Sequence, residues 1–201
     1  MQYLKADTFK QLAPTVKDSL KQVANTNYAL AKLYGVWELS LRNRNIKEHL
    51  VIFQMGKVGS TTVIRSLRAI NRGNQVYHVH ALSPKGIASI EQVYRDNFKL
   101  RGIDSHLLAS YYLRKKLDNG AKNEKWKIIT LVRDPIARNV SSFFEVLDLQ
   151  YAQYDYEHKI KTQDKDAISK ELASQFFDLH DHYLPLTWFD QELKSTFGVD
   201  I

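Results

Sequence analysis

The chain has 201 residues and a net charge of +7, with 29 lysines and arginines against 22 aspartates and glutamates. This length suits one α/β domain with room for a helical extension, and the basic balance favours anionic ligands such as nucleotides or acidic glycans. The absence of cysteine excludes disulfides, thiolate metal sites and cysteine nucleophiles, and no apolar run approaches the ~20 residues of a membrane-spanning helix.

The N-terminal part of the sequence predicts two helices. Apolar residues recur at steps of three and four from Phe9 to Val23, which is one helical face. A second helix is expected from about residue 27 to residue 42, where apolar residues surround most of the circumference, so we expect it to be well buried. We assign residues 1–48 to an N-terminal helical extension and residues 49–201 to an α/β domain.

Residues 51–65 read VIFQMGKVGSTTVIR. We predict an apolar strand over residues 49–55, then a loop, then a helix over residues 60–71. Glycines let backbone N–H groups approach an anion, and a helix N-terminus adds partial positive charge. The pattern predicts a phosphate-binding loop, although an ordinary strand-to-helix turn remains the alternative. Lys57 precedes Gly59 instead of following it, so the loop is not a Walker A motif and a generic NTPase fits poorly.

Further strands and helices alternate along the rest of the chain. Strands are predicted over residues 75–80 and 125–132, and the second is expected to be covered on both faces because its apolar run is continuous. Helices are predicted over 85–99, 105–117, 135–148, 166–179 and 184–196, with a polar, tyrosine-rich loop over 150–166 and the start of a strand at 199–201. Such alternation predicts a three-layer α/β fold, a parallel sheet flanked by helices.

A second candidate phosphate site follows the strand at 125–132. Arg133 leaves that strand, Ser141 lies eight residues later in the next helix, and Asp134 before Pro135 is a typical helix cap. Ligand groups gather at the carboxyl ends of parallel strands, where both Lys57 and Arg133 are placed. Two separated anion sites suit a nucleotide with two separated phosphates.

Together the two motifs resemble those of the sulfotransferases that use 3′-phosphoadenosine-5′-phosphosulfate, which have a P-loop-type fold. The segment from Lys57 to Thr61 (KVGST) is similar to their 5′-phosphosulfate loop, and Arg133 with Ser141 is similar to their 3′-phosphate motif. The segments QMGKVGST, YHVHAL, RDPIARN and WFDQEL also resemble bacterial proteins of capsular-polysaccharide synthesis, in four islands over roughly residues 50–200.

The resemblance implies transfer of a sulfuryl group from this donor to a hydroxyl of a carbohydrate acceptor, in capsular or exopolysaccharide synthesis. Lys57 would neutralise charge on the departing phosphate, and no metal is expected. The donor would be held by Lys57, Val58, Gly59, Ser60, Thr61, Thr62, Arg133 and Ser141.

The acceptor hydroxyl needs a general base. His78 and His80 lie two residues apart on a predicted strand and so share one face. We choose His80 because it is nearer the carboxyl end, with His78 and Glu145 as alternatives and a histidine hydrogen-bonded within the sheet as the structural alternative. Zinc held by these histidines with His180 and His182 would be an unusual four-histidine site, and we do not expect it.

Two other functions remain open. An ATP-dependent kinase or NTPase would use Asp134 as a magnesium ligand, and a non-catalytic module would bind only nucleotide or anionic glycan.

The resemblance implies a further basic segment towards the C-terminus that this sequence lacks, so we expect the domain to be incomplete there or to lack that lid. With no signal-peptide core and no nucleic-acid-binding motif, we expect a cytoplasmic protein without a nucleic-acid partner. Nothing in the sequence indicates an oligomeric state.

Overall fold

The computed structural model describes residues 18–19, 21–23, 26–70, 75–96, 98–120, 124–150 and 164–200. The chain divides into two compact units, unit 1 with residues 1–54 and 61–130 and unit 2 with residues 55–60 and 131–201. Residues 9 to 17 of the predicted first helix and most of the polar segment 150–166 lie outside the described residues. The boundary between residues 48 and 49 stays a prediction.

Unit 1 contains eight of the elements described below, among them the three strands. Its elements in chain order are α1 (Tyr28–Arg42), β1 (Glu48–Phe53), α2 (Ser60–Ile70, beginning at the unit boundary), β2 (Val76–Val79), α3 (Pro84–Asp96), α4 (Phe98–Arg101), α5 (Ser105–Asp118) and β3 (Lys125–Ile129). The strands and helices predicted between residues 27 and 132 are therefore present, with bounds shifted by a few residues.

The three strands form a parallel sheet in the order β2-β1-β3. The central strand β1 is the most buried, and Val51, Ile52 and Phe53 are each 0% exposed. In register, Leu50 lies opposite Val76 on one side and Lys127 on the other. The predicted α/β class with a parallel sheet is confirmed.

Helices pack on both faces of this sheet. On one face Ile64 of α2 packs with Ile52 and Val76. On the opposite face Tyr77 stacks on Tyr112 of α5, with ring centroids 5.7 Å apart. Because successive strand residues point to opposite faces, Val76 and Tyr77 of β2 contact the helices on opposite sides of the sheet. The result is the predicted three-layer arrangement.

Two predictions about burial are wrong. Helix α1 has no buried residue, and Leu33 is 67% exposed, because the helix packs against α5 along one stripe. Gly35 allows this close approach, since a Cβ there would lie 2.7 Å from Leu108. Strand β3 is at an edge of the described sheet and is half-exposed along its length, with Lys125 and Lys127 exposed, so its apolar run is not covered on both faces.

Unit 2 is helical. It contains α6 (Pro135–Gln150), α7 (Lys165–Leu179), α8 (Leu184–Trp188), the π-helix π1 (Phe189–Lys194) and α9 (Ser195–Phe197). Asp134 caps α6 as predicted, accepting a hydrogen bond from Ala137 N at 2.8 Å, and Phe143 with Ile168 forms an apolar core between α6 and α7. Residues 198–200 have no regular structure, so the predicted strand is absent from the described part of this segment.

No helix among the described residues is long and apolar enough to cross a lipid bilayer.

Candidate functional site

The predicted phosphate-binding loop adopts a backbone conformation that suits an anion site. Lys57 has a φ of 69° and Gly59 a φ of 86°, both in the left-handed region, which costs a residue with a side chain about 1–2 kcal/mol. A Cβ added at Gly56 or at Gly59 would meet nothing within 4 Å. The space in front of these glycines is therefore open to a ligand, as a phosphate-binding loop requires.

Two arginines of unit 2 are hydrogen-bonded to this loop. The Arg133 guanidinium donates to the Lys57 carbonyl at 3.2 Å, and Arg138 Nε donates to the Gly56 carbonyl at 3.2 Å. The structure thus brings together Arg133 and Lys57, which the sequence placed in separate motifs 76 residues apart. Ser141, the other member of the second motif, is half-buried on α6.

Arg138 is buried, with 5% of its surface exposed. Its guanidinium also donates to Asn139 Oδ1 at 2.9 Å, and Asn139 Nδ2 donates to the His182 carbonyl at 3.2 Å. Burial lowers the pKa of the guanidinium from its usual value, but arginine stays charged at neutral pH. In the sequence Arg138 is only one member of the segment RDPIARN, whereas in the structure it supports the loop backbone at Gly56.

Lys57 forms an ion pair in unit 2. Its Nζ lies 3.3 Å from Oε1 of Glu145 on α6, and the Glu145 side chain is 58% exposed. Glu145, an alternative candidate for the base, is thus a partner of the lysine. Because an exposed ion pair is worth only about 0.2–1 kcal/mol, an incoming phosphate can replace the carboxylate.

Three histidines lie together in unit 1. His78 at the end of β2 and His80 just after it have ring centroids 4.7 Å apart. His106, near the start of α5, lies 4.0 Å from His78 and stacks on His80 at 4.8 Å with an interplanar angle of 21°. His106 could not be predicted from the sequence because α5 carries no motif that points to the strand.

Hydrogen bonds define the proton positions on two of these rings. His80 Nδ1 donates to the Gln54 carbonyl at 3.0 Å, and His106 Nδ1 donates to the His78 carbonyl at 3.1 Å. A carbonyl oxygen can only accept, so the neutral His80 ring carries its hydrogen on Nδ1 and its acceptor lone pair on Nε2. Burial, followed by the neighbouring His106, His80 and Arg68, lowers the pKa of His78 to about 3, which keeps it neutral.

His78, His80 and His106 are also the group of described side chains with ligand atoms close enough to consider a metal ion, all within 4.8 Å of one another. Nitrogens that share a zinc ion at 2.0–2.1 Å lie roughly 3.3 Å apart and point at the ion in the ring planes. The stacking of His80 on His106, with an interplanar angle of 21°, does not fit that geometry. We therefore treat the three rings as a hydrogen-bonding cluster and assign no metal to them.

A cavity of about 290 Å³ opens beside this cluster within unit 1. Among the described residues that line it, the basic side chains belong to arginine and histidine, and none is an aspartate or a glutamate. Arg65 and Arg68 of α2 are exposed and form no ion pair within the described ranges. The polar lining side chains are Thr61, Arg65, Arg68, Gln75, Tyr77, His78, Ser105 and His106.

A protein-family model described as "Sulfotransferase family" matches residues 43–193. The match covers more than half of the chain and includes the loop, Arg133, Ser141 and all three clustered histidines. The chain belongs to the sulfotransferase family. Neither the curated proteins nor the solved structures contain a match.

Family membership confirms the resemblance that the loop and the Arg133–Ser141 motif indicated. It supports a sulfotransferase enzyme, one that transfers a sulfuryl group. The predicted α/β class is confirmed independently by the parallel sheet. The individual roles predicted for the site residues stay predictions.

Proposed function

We propose that this sulfotransferase moves a sulfuryl group from 3′-phosphoadenosine-5′-phosphosulfate to a hydroxyl of a carbohydrate acceptor in polysaccharide synthesis. The observation that carries the proposal is the contact between the two anion motifs, in which Arg133 donates to the Lys57 carbonyl at 3.2 Å. A nucleotide with phosphates at both its 5′ and 3′ positions is the ligand class that uses two such sites at once.

The loop and α6 provide the groups for this donor. Lys57 and the hydroxyls of Ser60, Thr61 and Thr62 would hold the 5′-phosphosulfate, with Val58 and Gly59 contributing backbone N–H groups. Arg133 and Ser141 would hold the 3′-phosphate. The open space at Gly59 and the left-handed φ of Lys57 and Gly59 support this fit.

The reaction is an in-line displacement at sulfur. The acceptor oxygen forms a new S–O bond while the bond from sulfur to the 5′-phosphate oxygen breaks, which releases 3′,5′-adenosine bisphosphate. The hydroxyl proton goes to His80 Nε2, the atom that carries the acceptor lone pair because Nδ1–H donates to Gln54. Lys57 neutralises the charge that develops on the departing phosphate, an electrostatic contribution of the kind that dominates many enzymes.

The cavity beside the histidines supports an acceptor that carries negative charge. Arg65 and Arg68 line it together with His78 and His106, and no described carboxylate does. An uronic-acid residue of a polysaccharide would pair with such arginines, whereas a neutral glucan would leave them without a counter-charge.

The test is a transfer assay with ³⁵S-labelled donor and two unsulfated polysaccharides, chondroitin as the acidic acceptor and dextran as the neutral one. We expect label in chondroitin without added magnesium. Lys57→Ala should lower the rate by about 10²–10³, the loss typical of removing one transition-state donor. Lys85→Ala, an exposed lysine on α3, is the matched control and should retain full activity.

The outcomes separate the alternatives. Labelling of dextran alone would remove the acidic-acceptor part of the proposal and leave sulfuryl transfer intact. Equal activity of Lys57→Ala and Lys85→Ala would contradict the assigned role of the loop lysine. Phosphate transfer from ATP, with none from the sulfated donor, would favour the kinase alternative instead.

A further inference from the structure

Gln54 is a buried polar residue with an uncommon position. It follows the last residue of β1 and precedes the phosphate-binding loop, and it is 0% exposed among apolar neighbours such as Phe53 and Met55. Its side-chain Oε1 has no hydrogen-bond partner among the described residues. A leucine would fill the same volume without burying an unpaired oxygen, so packing alone does not explain a glutamine here.

The same residue contacts both histidines of the YHVH segment. Its carboxamide Nε2 lies 3.4 Å from His78 Nε2, and its backbone carbonyl accepts from His80 Nδ1 at 3.0 Å. Its backbone N–H donates to the Val79 carbonyl at 3.3 Å, which ties it to the residue between the two histidines. One residue thus holds the segment that presents the candidate base.

These contacts determine which nitrogen of each ring bears hydrogen. The carboxamide NH₂ can only donate, so His78 Nε2 accepts and the neutral His78 ring carries its hydrogen on Nδ1. His80 also carries its hydrogen on Nδ1, and its Nε2 is then the proton acceptor. A neutral, oriented His78 next to His80 adds no positive charge that would oppose protonation of His80.

We propose that Gln54 is a positioning residue that fixes the ring orientation and tautomer of His78, and through it the geometry of His80 as base. This inference rests on the proposed function for the role of His80, but the tautomers themselves do not depend on it. No side-chain atom of Gln54 is required to touch donor or acceptor.

The test is ¹⁵N NMR of the histidine rings in the full chain, with each signal assigned from its loss in His78→Asn and His80→Asn. In the wild type at alkaline pH, where the neutral imidazole is the form observed, we expect both rings to carry their hydrogen on Nδ1. The groups facing His78 are His80, His106, Arg68 and Gln54, and Asp104 lies 3.6 Å from His106. An Nε2–H form of either ring in the wild type would overturn the proposal.

Two variants then test the side chain. In Gln54→Glu a carboxylate replaces the donor, so His78 should switch to the Nε2–H form and titrate at higher pH. In Gln54→Leu the contact is lost, and His78 should show mixed tautomers. Gln175→Leu is the matched control, because Gln175 on α7 is likewise buried with an unpartnered Oε1 but touches neither ring.

Activity provides the second readout. Release of 3′,5′-adenosine bisphosphate from the sulfated donor with water as acceptor should fall about tenfold in Gln54→Leu, part of the roughly 10²–10⁴ that general-base catalysis contributes. Affinity for 3′,5′-adenosine bisphosphate should stay unchanged, which separates this result from a failure of the donor site. Unchanged His78 signals in both variants, or equal losses in Gln54→Leu and Gln175→Leu, would contradict a positioning role.

Discussion

The ammonium group of Lys57 lies 3.3 Å from the carboxylate of Glu145. The lysine has a left-handed backbone, with φ at 69°, and α6 provides the carboxylate partner. The lysine charge is therefore directed towards α6, where it is paired with a carboxylate. Glu145 thus has two candidate roles, the general base that the sequence allows and the carboxylate partner of Lys57.

Replacement of Glu145 distinguishes these two roles. Glu145→Gln removes the competing charge, so we expect 3′,5′-adenosine bisphosphate to bind about twofold more tightly, in line with about 0.5 kcal/mol for an exposed pair. Transfer should be retained. Calorimetry measures the affinity, and Glu48→Gln, which removes an exposed charge paired with Lys127, is the control expected to bind as the wild type does. Loss of transfer with normal binding would return Glu145 to the role of base.

The left-handed backbone of Gly59 predicts that a methyl group added at this residue weakens ligand binding. Gly59→Ala places a Cβ at a φ of 86°, where strain and not collision is the cost because nothing lies within 4 Å. We expect binding of the bisphosphate to weaken about fivefold, equivalent to about 1 kcal/mol.

Gly120→Ala is the matched control for this loop variant. Gly120 has a φ of 62° and equally open surroundings, but it lies in the turn after α5. It should lose similar stability in urea unfolding and keep full affinity. Equal affinity losses in both variants would show that the effect is global and not a property of the loop.

The ion pair between Lys32 of α1 and Glu91 of α3 predicts that the free energy of unfolding depends on pH. Burial would raise the pKa of Glu91, but hydrogen bonds from Tyr111, Lys32 and Arg95 outweigh it and lower the pKa to about 2. Lys32 of α1 contributes through an ion pair at 3.0 Å. Because the folded-state pKa is depressed, this stabilisation is present above the unfolded value of about 4.5 and is lost as the pH falls towards 2.

Glu91→Gln should therefore lower the free energy of unfolding by about 2 kcal/mol at pH 7, with the difference from wild type shrinking steadily below pH 4.5. Urea unfolding across this pH range measures it. Asp118→Asn, which removes an exposed i,i+4 pair with Arg114, should change stability by less than about 0.5 kcal/mol. A difference independent of pH would show that Glu91 stabilises α1 without its charge.

The strands, the loop and the Arg133–Ser141 motif could be predicted because their signals are local. An apolar run, a Gly-Lys-Ser segment and an Asp-Pro cap each lie within about ten residues. The contact of Lys57 with Glu145 and that of His78 with His106 could not, since they join elements far apart in sequence. No periodicity or motif specifies which face of α5 meets β2.

The two errors of burial have a related cause. The apolar residues of α1 and the apolar run of β3 predicted full cover, but burial depends on what packs against an element. Among the described residues α5 covers α1 on one side, and β3 has a neighbour only at β1. Gln54 is the opposite case. It is a polar residue at the end of a buried strand, and its contacts are with two histidines more than twenty residues away.

Calorimetric titration with 3′,5′-adenosine bisphosphate in magnesium-free buffer tests whether the protein binds a nucleotide with two separated phosphates. Wild type should bind it more tightly than 5′-adenosine monophosphate, because Arg133 and Ser141 would hold the 3′-phosphate. Arg133→Ala should abolish that preference, while Arg42→Ala on α1 should keep it. Equal affinity of the wild type for both nucleotides, or binding of ATP only with magnesium, would contradict a donor site that holds both a 5′- and a 3′-phosphate.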